Sequence, residues 1–294
     1  MSQINVTNKS DLRVEIENIK NSNASRAKKY EALVKLGISA NEANYVLGQL
    51  PTRERIAFTF GVEIECYNLP YSIGVAFLRS QGLTAEAQSY NHRDSRTLFK
   101  LTSDSSLNGN DTAECVTPIL GGKKGFGSLK KCCTALNNAG ARVNRSTGLH
   151  VHIGVKNMTD AQYVNTFKNY QFLERLIDTF MAQSRRGNNS HWCASIRRFY
   201  FGSSTSKHDI SRIMPSRYYK VNPCAWYAHR TIEFRQHGGT TDFDKISNWV
   251  NFCGKLVCWS KDNVLNREIT DINDVPFLNS EEKAFFANRI AALN

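Results

Sequence analysis

The 294-residue chain has no apolar run near the ~18 residues that a membrane-spanning helix needs. That excludes a helical membrane protein. The N-terminus, MSQINVTNKSDLRVEIENIK, is polar and lacks the apolar centre of a secretory signal. The eight cysteines show no CxxC or other zinc-ribbon spacing. Several sit inside apolar stretches such as NFCGKLVCW, which reads as reduced core thiols in a cytoplasmic protein rather than a disulfide set. Internal repeats and low-complexity segments are absent as well. What is present is enough for a core: 41% hydrophobic and 11% aromatic residues. A disordered chain is therefore excluded, and the length fits one large domain or one with an appended piece.

The net charge is +12 and is unevenly placed. Eight Lys or Arg stand against one acid, Asp209, between Arg185 and Lys220. Such a stretch points to an anionic ligand or to a solvated basic surface.

Residues 1–55 read as a helical N-terminal extension. Asn23 or Ser25 caps a helix through RAKKYEALVKLG that Gly37 ends, and a second short helix covers NEANYVLGQL. A small docking arm is expected there, with helix–turn–helix binding of DNA as the alternative. Strands follow at ERIAFTFGVEIECY, TLFKLT, TAECVTPIL, GLHVHIGV, RYYKVN and RTIEFRQH, and helices at YSIGVAFLRSQG, GSLKKCCTALNNAG, TDAQYVNTFKNYQFLERLIDTFMAQ, DFDKISNWVNFCGKLVCWS and EEKAFFANRIAAL. Thr159 or Asp160 caps the longest helix. The order predicts an α+β fold with a mainly antiparallel sheet and helices packed on one face. Residues 56–262 read as the catalytic domain and 263–294 as a C-terminal helical segment packed on it.

Three strands each place two ionisable groups at i and i+2, hence on one face. They are Glu63 with Glu65, His150 with His152, and Glu233 with Arg235; Val62, Ile64, Leu149, Val151, Ile153, Ile232 and Phe234 fall opposite. Gly61, Gly148 and Gly154 flank two of the pairs and let backbone or ligand come close. If these strands share a sheet, Glu63, Glu65, Glu233 and Glu114 converge. Four carboxylates so close need a counter-charge, which a divalent cation supplies. An oxygen-rich set with one or two imidazoles suits Mg²⁺ or Mn²⁺ better than zinc. Mg²⁺ on carboxylates normally shares its sphere with phosphate. Arg235 and the Arg185–Lys220 stretch, including Arg197 and Arg198, then have a polyphosphate to hold. This spacing supports metal-assisted phosphate chemistry without separating ligase, kinase and nuclease.

FGVEIE, the SDSSL turn before AECVTPIL, STGLHVHIG, RYYKVN and TIEFRQHGGT occur in this order. Together they resemble the signature segments of the amidoligase family of phages, bacteria and fungi, which is grouped with glutamine synthetase and glutamate–cysteine ligase. The resemblance runs from about Phe60 to Trp259. It implies a glutamine-synthetase-like catalytic sheet, with Glu63, Glu65, Glu114, His150 and Glu233 as metal ligands, His152 on the phosphate side, and Arg235 binding phosphate. Arg217 and Asn222 match a segment that touches substrate or nucleotide. The usual Asp-Gly-Ser turn is Asp104-Ser105-Ser106 here, and Ala113 stands where a larger apolar residue is common. The implied reaction joins a small-molecule or peptide carboxylate to an amine with ATP and Mg²⁺. Asp104 and His237 are candidate bases for the attacking amine. Trp192, Trp226 and Trp249 read as packing residues, and His191 and His208 as exposed loop residues. The alternative is a metal-dependent nuclease or phosphotransferase acting on nucleic acid through the same carboxylates; no nuclease signature is present.

Overall fold

A computed structural model describes residues 9–38, 43, 46–47, 58–89 and 95–294. The chain forms two compact units, residues 1–55 and residues 56–294. In the first, α1 spans Lys9–Asn21 and α2 spans Arg26–Lys35. Ser25 holds the N-cap position of α2 without a side-chain cap bond, and Gly37 follows the helix at φ +83°. The polar composition of residues 9–21 hid α1, although Leu12, Ile16 and Ile19 recur at helical spacing. The helix expected at NEANYVLGQL and the start of the strand at ERIAF lie largely outside the described residues.

The second unit is built on an eight-stranded sheet. β1 (Thr59–Cys66) lies near its centre. α3 (Tyr71–Ser80), β2 (Thr84–Ala87), β3 (Leu98–Thr102), β4 (Ala113–Val116) and β5 (Leu120–Gly121) follow. After α4 (Gly122–Asn138) come β6 (Gly148–Gly154) and α5 (Asp160–Thr179). Then come α6 (Lys207–Ile213), β7 (Val221–Asn222), α7 (Ala225–His229), β8 (Thr231–Gly238), α8 (Phe243–Trp259) and α9 (Ser280–Leu293). The strand order is β2-β3-β4-β1-β6-β8-β7, with β5 also paired to β1. The β2–β3 pair is parallel; the other pairs are antiparallel.

Alternation gives the sheet one apolar face. Val62, Ile64, Leu149, Val151, Ile153, Ile232 and Phe234 are buried there. They share one core with Leu129, Cys132 and Leu136 of α4, Tyr170 and Leu173 of α5, and Trp249, Phe252 and Cys253 of α8. Each such side chain contributes roughly 1.5–3 kcal/mol by burial, so a charge at Val151 would collapse this layer. The α5 cap is a full capping box: Thr159 Oγ1 accepts from Gln162 N, and Gln162 Oε1 accepts from Thr159 N. The C-terminal α9 packs through Phe286 onto Phe180, ring centroids 4.6 Å apart, and Phe252, 5.4 Å apart. None of the eight cysteines forms a disulfide; Cys115 Sγ and Cys132 Sγ share a thiol hydrogen bond at 3.6 Å.

Several local expectations change. RYYKVN yields only the two-residue β7, because Pro223 has no N–H to extend the ladder. TAECVTPIL divides into β4 and β5 around Pro118. β2 forms from TAEA, a poor strand sequence, through its pairing with β3. The basic stretch is not wholly irregular, since α6 forms in it behind a capping box of Ser206 and Asp209. No described helix is long and apolar enough to cross a membrane.

Candidate active site

The polar face of the sheet can be followed row by row across the strands. One row joins Thr102, Glu114 and Glu65 on β3, β4 and β1. The next joins Lys100, Val116, Glu63 and His150 on β3, β4, β1 and β6. A third joins Gly61, His152, Glu233 and Asn222 on β1, β6, β8 and β7. The i, i+2 pairs thus meet because their strands are neighbours in register. All of these paired groups except the buried Glu65 line a cleft of about 1440 Å³.

His150 is the hub. Its Nδ1 lies 3.0 Å from Glu63 Oε2 and 3.6 Å from Glu233 Oε1, and its Nε2 lies 3.5 Å from Glu65 Oε1. His152 Nε2 lies 3.3 Å from Glu63 Oε1 and 3.9 Å from Glu233 Oε1, while its Nδ1 meets Thr231 Oγ1 at 2.9 Å. Arg235 Nη1 donates to Glu233 Oε1 at 2.5 Å, and Asn222 Nδ2 donates to Glu233 Oε2 at 2.5 Å. Gly148 N donates to Glu65 Oε2 at 2.5 Å. A Cβ at Gly148 would stand 2.9 Å from His150 Nε2 and 3.2 Å from Glu65 Oε2, so the approach requires glycine. A Cβ at Gly61 would make only an ordinary 3.9 Å contact with His152 Cβ.

The electrostatics split the carboxylates. Burial opposes ionisation of Glu63, but His152 and His150 outweigh it and hold that carboxyl well below the usual range. Burial likewise opposes ionisation of Glu233, and Arg235 and His152 reverse the balance. Glu114 goes the other way: burial, then the charges of Glu63, Glu65, Asp104 and Glu233, push it well above the usual value. His152 is held up by Glu63 and Glu233 against its burial.

Three sets of side chains could hold cations: Glu63, Glu114 and His150; Glu63, His152 and Glu233; and Glu65, Asp104 and Glu114. The ligand atoms within each set lie within 4.8 Å of one another. His152 Nε2 faces Glu63 Oε1 and Glu233 Oε1, the other two donors of its set. A carboxylate set with imidazole fits Mg²⁺ or Mn²⁺. All five metal candidates from the sequence are therefore together. His152, expected on the phosphate side, also stands in a potential metal set, and so does Asp104, expected as a base.

A model of the family described as "putative amidoligase enzyme" matches residues 57–257. The chain belongs to this amidoligase family. No curated protein matches it. The matched span carries every strand of the sheet and all the groups of the acidic centre.

Other expected site residues of the amidoligase are elsewhere. His237 does not line the cleft. Between Leu149 and Val151 of β6, β8 carries an extra residue, so alternation breaks after Gln236. Gln236 bonds Tyr170 of α5 on the same face as Phe234, and His237 stays on that face, its ring 6.0 Å from that of Trp249 of α8. Burial pushes His237 down to about 3, and its Nδ1 contacts the Gly238 carbonyl at 2.6 Å, so the ring stays neutral behind the sheet. Arg197 pairs with Glu268 at 2.5 Å, and Arg198 stacks on Phe199 with its guanidinium 4.9 Å from the ring. Neither lines the cleft. Lys220 is fully buried between Glu174 (3.0 Å) and Asp178 (2.6 Å), and Arg185 is spent on the Thr147 carbonyl. The basic stretch therefore does not fold over the site as a whole; Arg217 is its one member lining the cleft among the described residues.

The lining cations come mostly from other places: Arg96, Lys100, Lys156 and Arg230, with His229. The His229 ring meets that of His152 edge-on at 5.6 Å. Lys100 carried a readable signal, because it alternates with Phe99 and Leu101 as Glu63 does with Val62 and Ile64. The other four lie outside strand centres and gave none.

Proposed function

We propose that this amidoligase is an ATP- and Mg²⁺-dependent carboxylate–amine ligase working through an acyl-phosphate on a glutamine-synthetase-like sheet. The observation that carries the reading is the meeting of Glu63, Glu114, His150, Glu233 and Arg235 in one cleft, with the buried Glu65 beside Glu114 and Asp104. Bound divalent ions would supply the positive charge that lets a phosphate chain lie over carboxylates.

The chain's own groups then divide the work. Glu233 holds the Arg235 guanidinium, and Asn222 fixes the other Glu233 oxygen. Arg235 is thereby aimed at the γ-phosphate, with Arg217 at the same end of the cleft. A substrate carboxylate oxygen attacks the γ-phosphorus, the bond to the β-phosphate oxygen breaks, and ADP leaves. An amine nitrogen then attacks the acyl carbon, phosphate leaves, and a carboxylate takes the nitrogen's proton. Asp104, held by a 2.7 Å bond from Ser106 N in the turn after β3, lines the cleft and fits that task. His237 does not, being behind the sheet. Residues 56–262 would be the catalytic domain and 263–294 a helical segment packed on it. Eight cysteines without a disulfide are consistent with a reducing, cytoplasmic setting.

The test is phosphate release from Mg–ATP across a panel of acids with hydroxylamine as amine. Acid-dependent hydroxamate and phosphate are expected together. Cleavage of nucleic acid without ATP would replace this reading with the nuclease one.

A further inference from the structure

The His152 ring is held from two sides. Its Nε2 faces Glu63 Oε1 at 3.3 Å and Glu233 Oε1 at 3.9 Å, and its Nδ1 meets Thr231 Oγ1 at 2.9 Å. Thr231 opens β8 two residues before Glu233, so both side chains take the cleft face. One strand thus carries a carboxylate of the Glu63, His152 and Glu233 set and the hydroxyl behind its imidazole. The backbone at this point is fixed. Thr231 pairs with Gly154 of β6, and the neighbouring Arg230 carbonyl accepts from Val155 N at 3.0 Å. His150 differs, because carboxylates face both its nitrogens, Glu63 at Nδ1 and Glu65 at Nε2. A neutral imidazole binds a cation through one nitrogen while the other carries the proton, and the partner of that proton sets the choice. A hydroxyl beside Nδ1 accepts this hydrogen bond without adding a charge.

We propose that Thr231 is a positioning residue: its hydroxyl accepts from His152 Nδ1–H and so aims the Nε2 lone pair at a divalent cation shared with Glu63 and Glu233. This rests on the metal part of the ligase reading and adds to it a residue that acts only through His152. The branched side chain has few χ1 positions open to it, which keeps the hydroxyl beside the ring.

The experiment titrates Mn²⁺ into the metal-free protein by calorimetry, for wild type, T231V, T231S, H152A and the T231V/H152A double variant. T231V keeps the branched shape and removes the hydroxyl; T231A repeats the removal should T231V melt early. Expected in T231V is a loss of about tenfold to a hundredfold in the affinity for one Mn²⁺. T231S should bind close to wild type, because it restores the acceptor. The double variant should lose no more than H152A alone, since Thr231 has nothing to position once the ring is gone. A T231V protein that binds every Mn²⁺ as tightly as wild type, a T231S protein as weak as T231V, or losses that add in the double variant overturn the positioning role and leave the ligase reading to its own phosphate-release test. A wild type that binds no Mn²⁺ overturns the metal part of that reading, and this inference with it.

Discussion

Glu65→Gln separates a metal-binding carboxylate from a merely structural one. The ligand atoms of Glu65, Asp104 and Glu114 lie within 4.8 Å of one another. Two unit charges at that distance repel by roughly 3.5 kcal/mol at an effective dielectric near 20, and by about 1 kcal/mol in water. Part of this is already relieved, because burial and its acidic neighbours favour the protonated form of Glu114. A gain of about 1–2 kcal/mol is left for removing one charge. The Gln side-chain oxygen still accepts from Gly148 N, and its amide takes the place of the oxygen that faced His150 Nε2 at 3.5 Å, so the backbone donor keeps its partner. At about 2–4 °C per kcal/mol for a domain of this size, the variant should melt roughly 2–8 °C higher than wild type in EDTA. Adding MgCl₂ should narrow the gap or reverse it. An ion at a hundredfold its Kd stabilises the wild type by about 2.7 kcal/mol, and Glu65→Gln should gain less than half of that. Melting by circular dichroism with and without Mg²⁺ reads both effects. A variant that melts lower in EDTA, or that gains the full Mg²⁺ shift, refutes the assignment of Glu65 to a cation site.

Other expectations follow from the same geometry. Glu63→Gln and Glu233→Gln should each cut phosphate release at least about 10²-fold with the far-ultraviolet spectrum unchanged; turnover at the wild-type rate in both would remove the acidic centre from the chemistry. Arg235→Lys should also lose about 10²-fold, because an ammonium cannot replace a planar fork held by Glu233, while the Mg²⁺-dependent shift in melting persists. His237 is neutral in the fold down to about 3 and takes a proton near 6.5 when unfolded. Its contribution to stability is thus intact above 6.5 and is lost as pH falls from 6.5 towards 3, at about 1.4 kcal/mol per pH unit. Urea melts of wild type and His237→Asn should diverge across that window, and parallel curves would contradict the assignment.

Much of the site was legible before any coordinates. Ionisable residues two apart inside apolar strands declare a shared face, because strand side chains alternate. Glu63, Glu65, Glu233, His150 and His152 were found that way, Glu114 was expected to join them if the strands share a sheet, and Asp104 came with the family's turn segment. Lys100 carried the same alternation on β3. The core followed from the complementary positions, Val62, Ile64, Val151 and Phe234.

What periodicity cannot carry is where alternation breaks and what a charge meets in space. One extra residue in β8 turns His237 from the cleft to Trp249, and nothing in TIEFRQHGG marks that shift. The basic stretch looked like a single phosphate-binding arm because charge adds along a sequence. In three dimensions Arg185, Arg197 and Lys220 are each claimed by a carbonyl or a carboxylate nearby, and cations from distant segments line the cleft instead. Local pattern fixes which face a strand residue takes; only the packed chain decides which charges are already neutralised and which are left to meet a ligand.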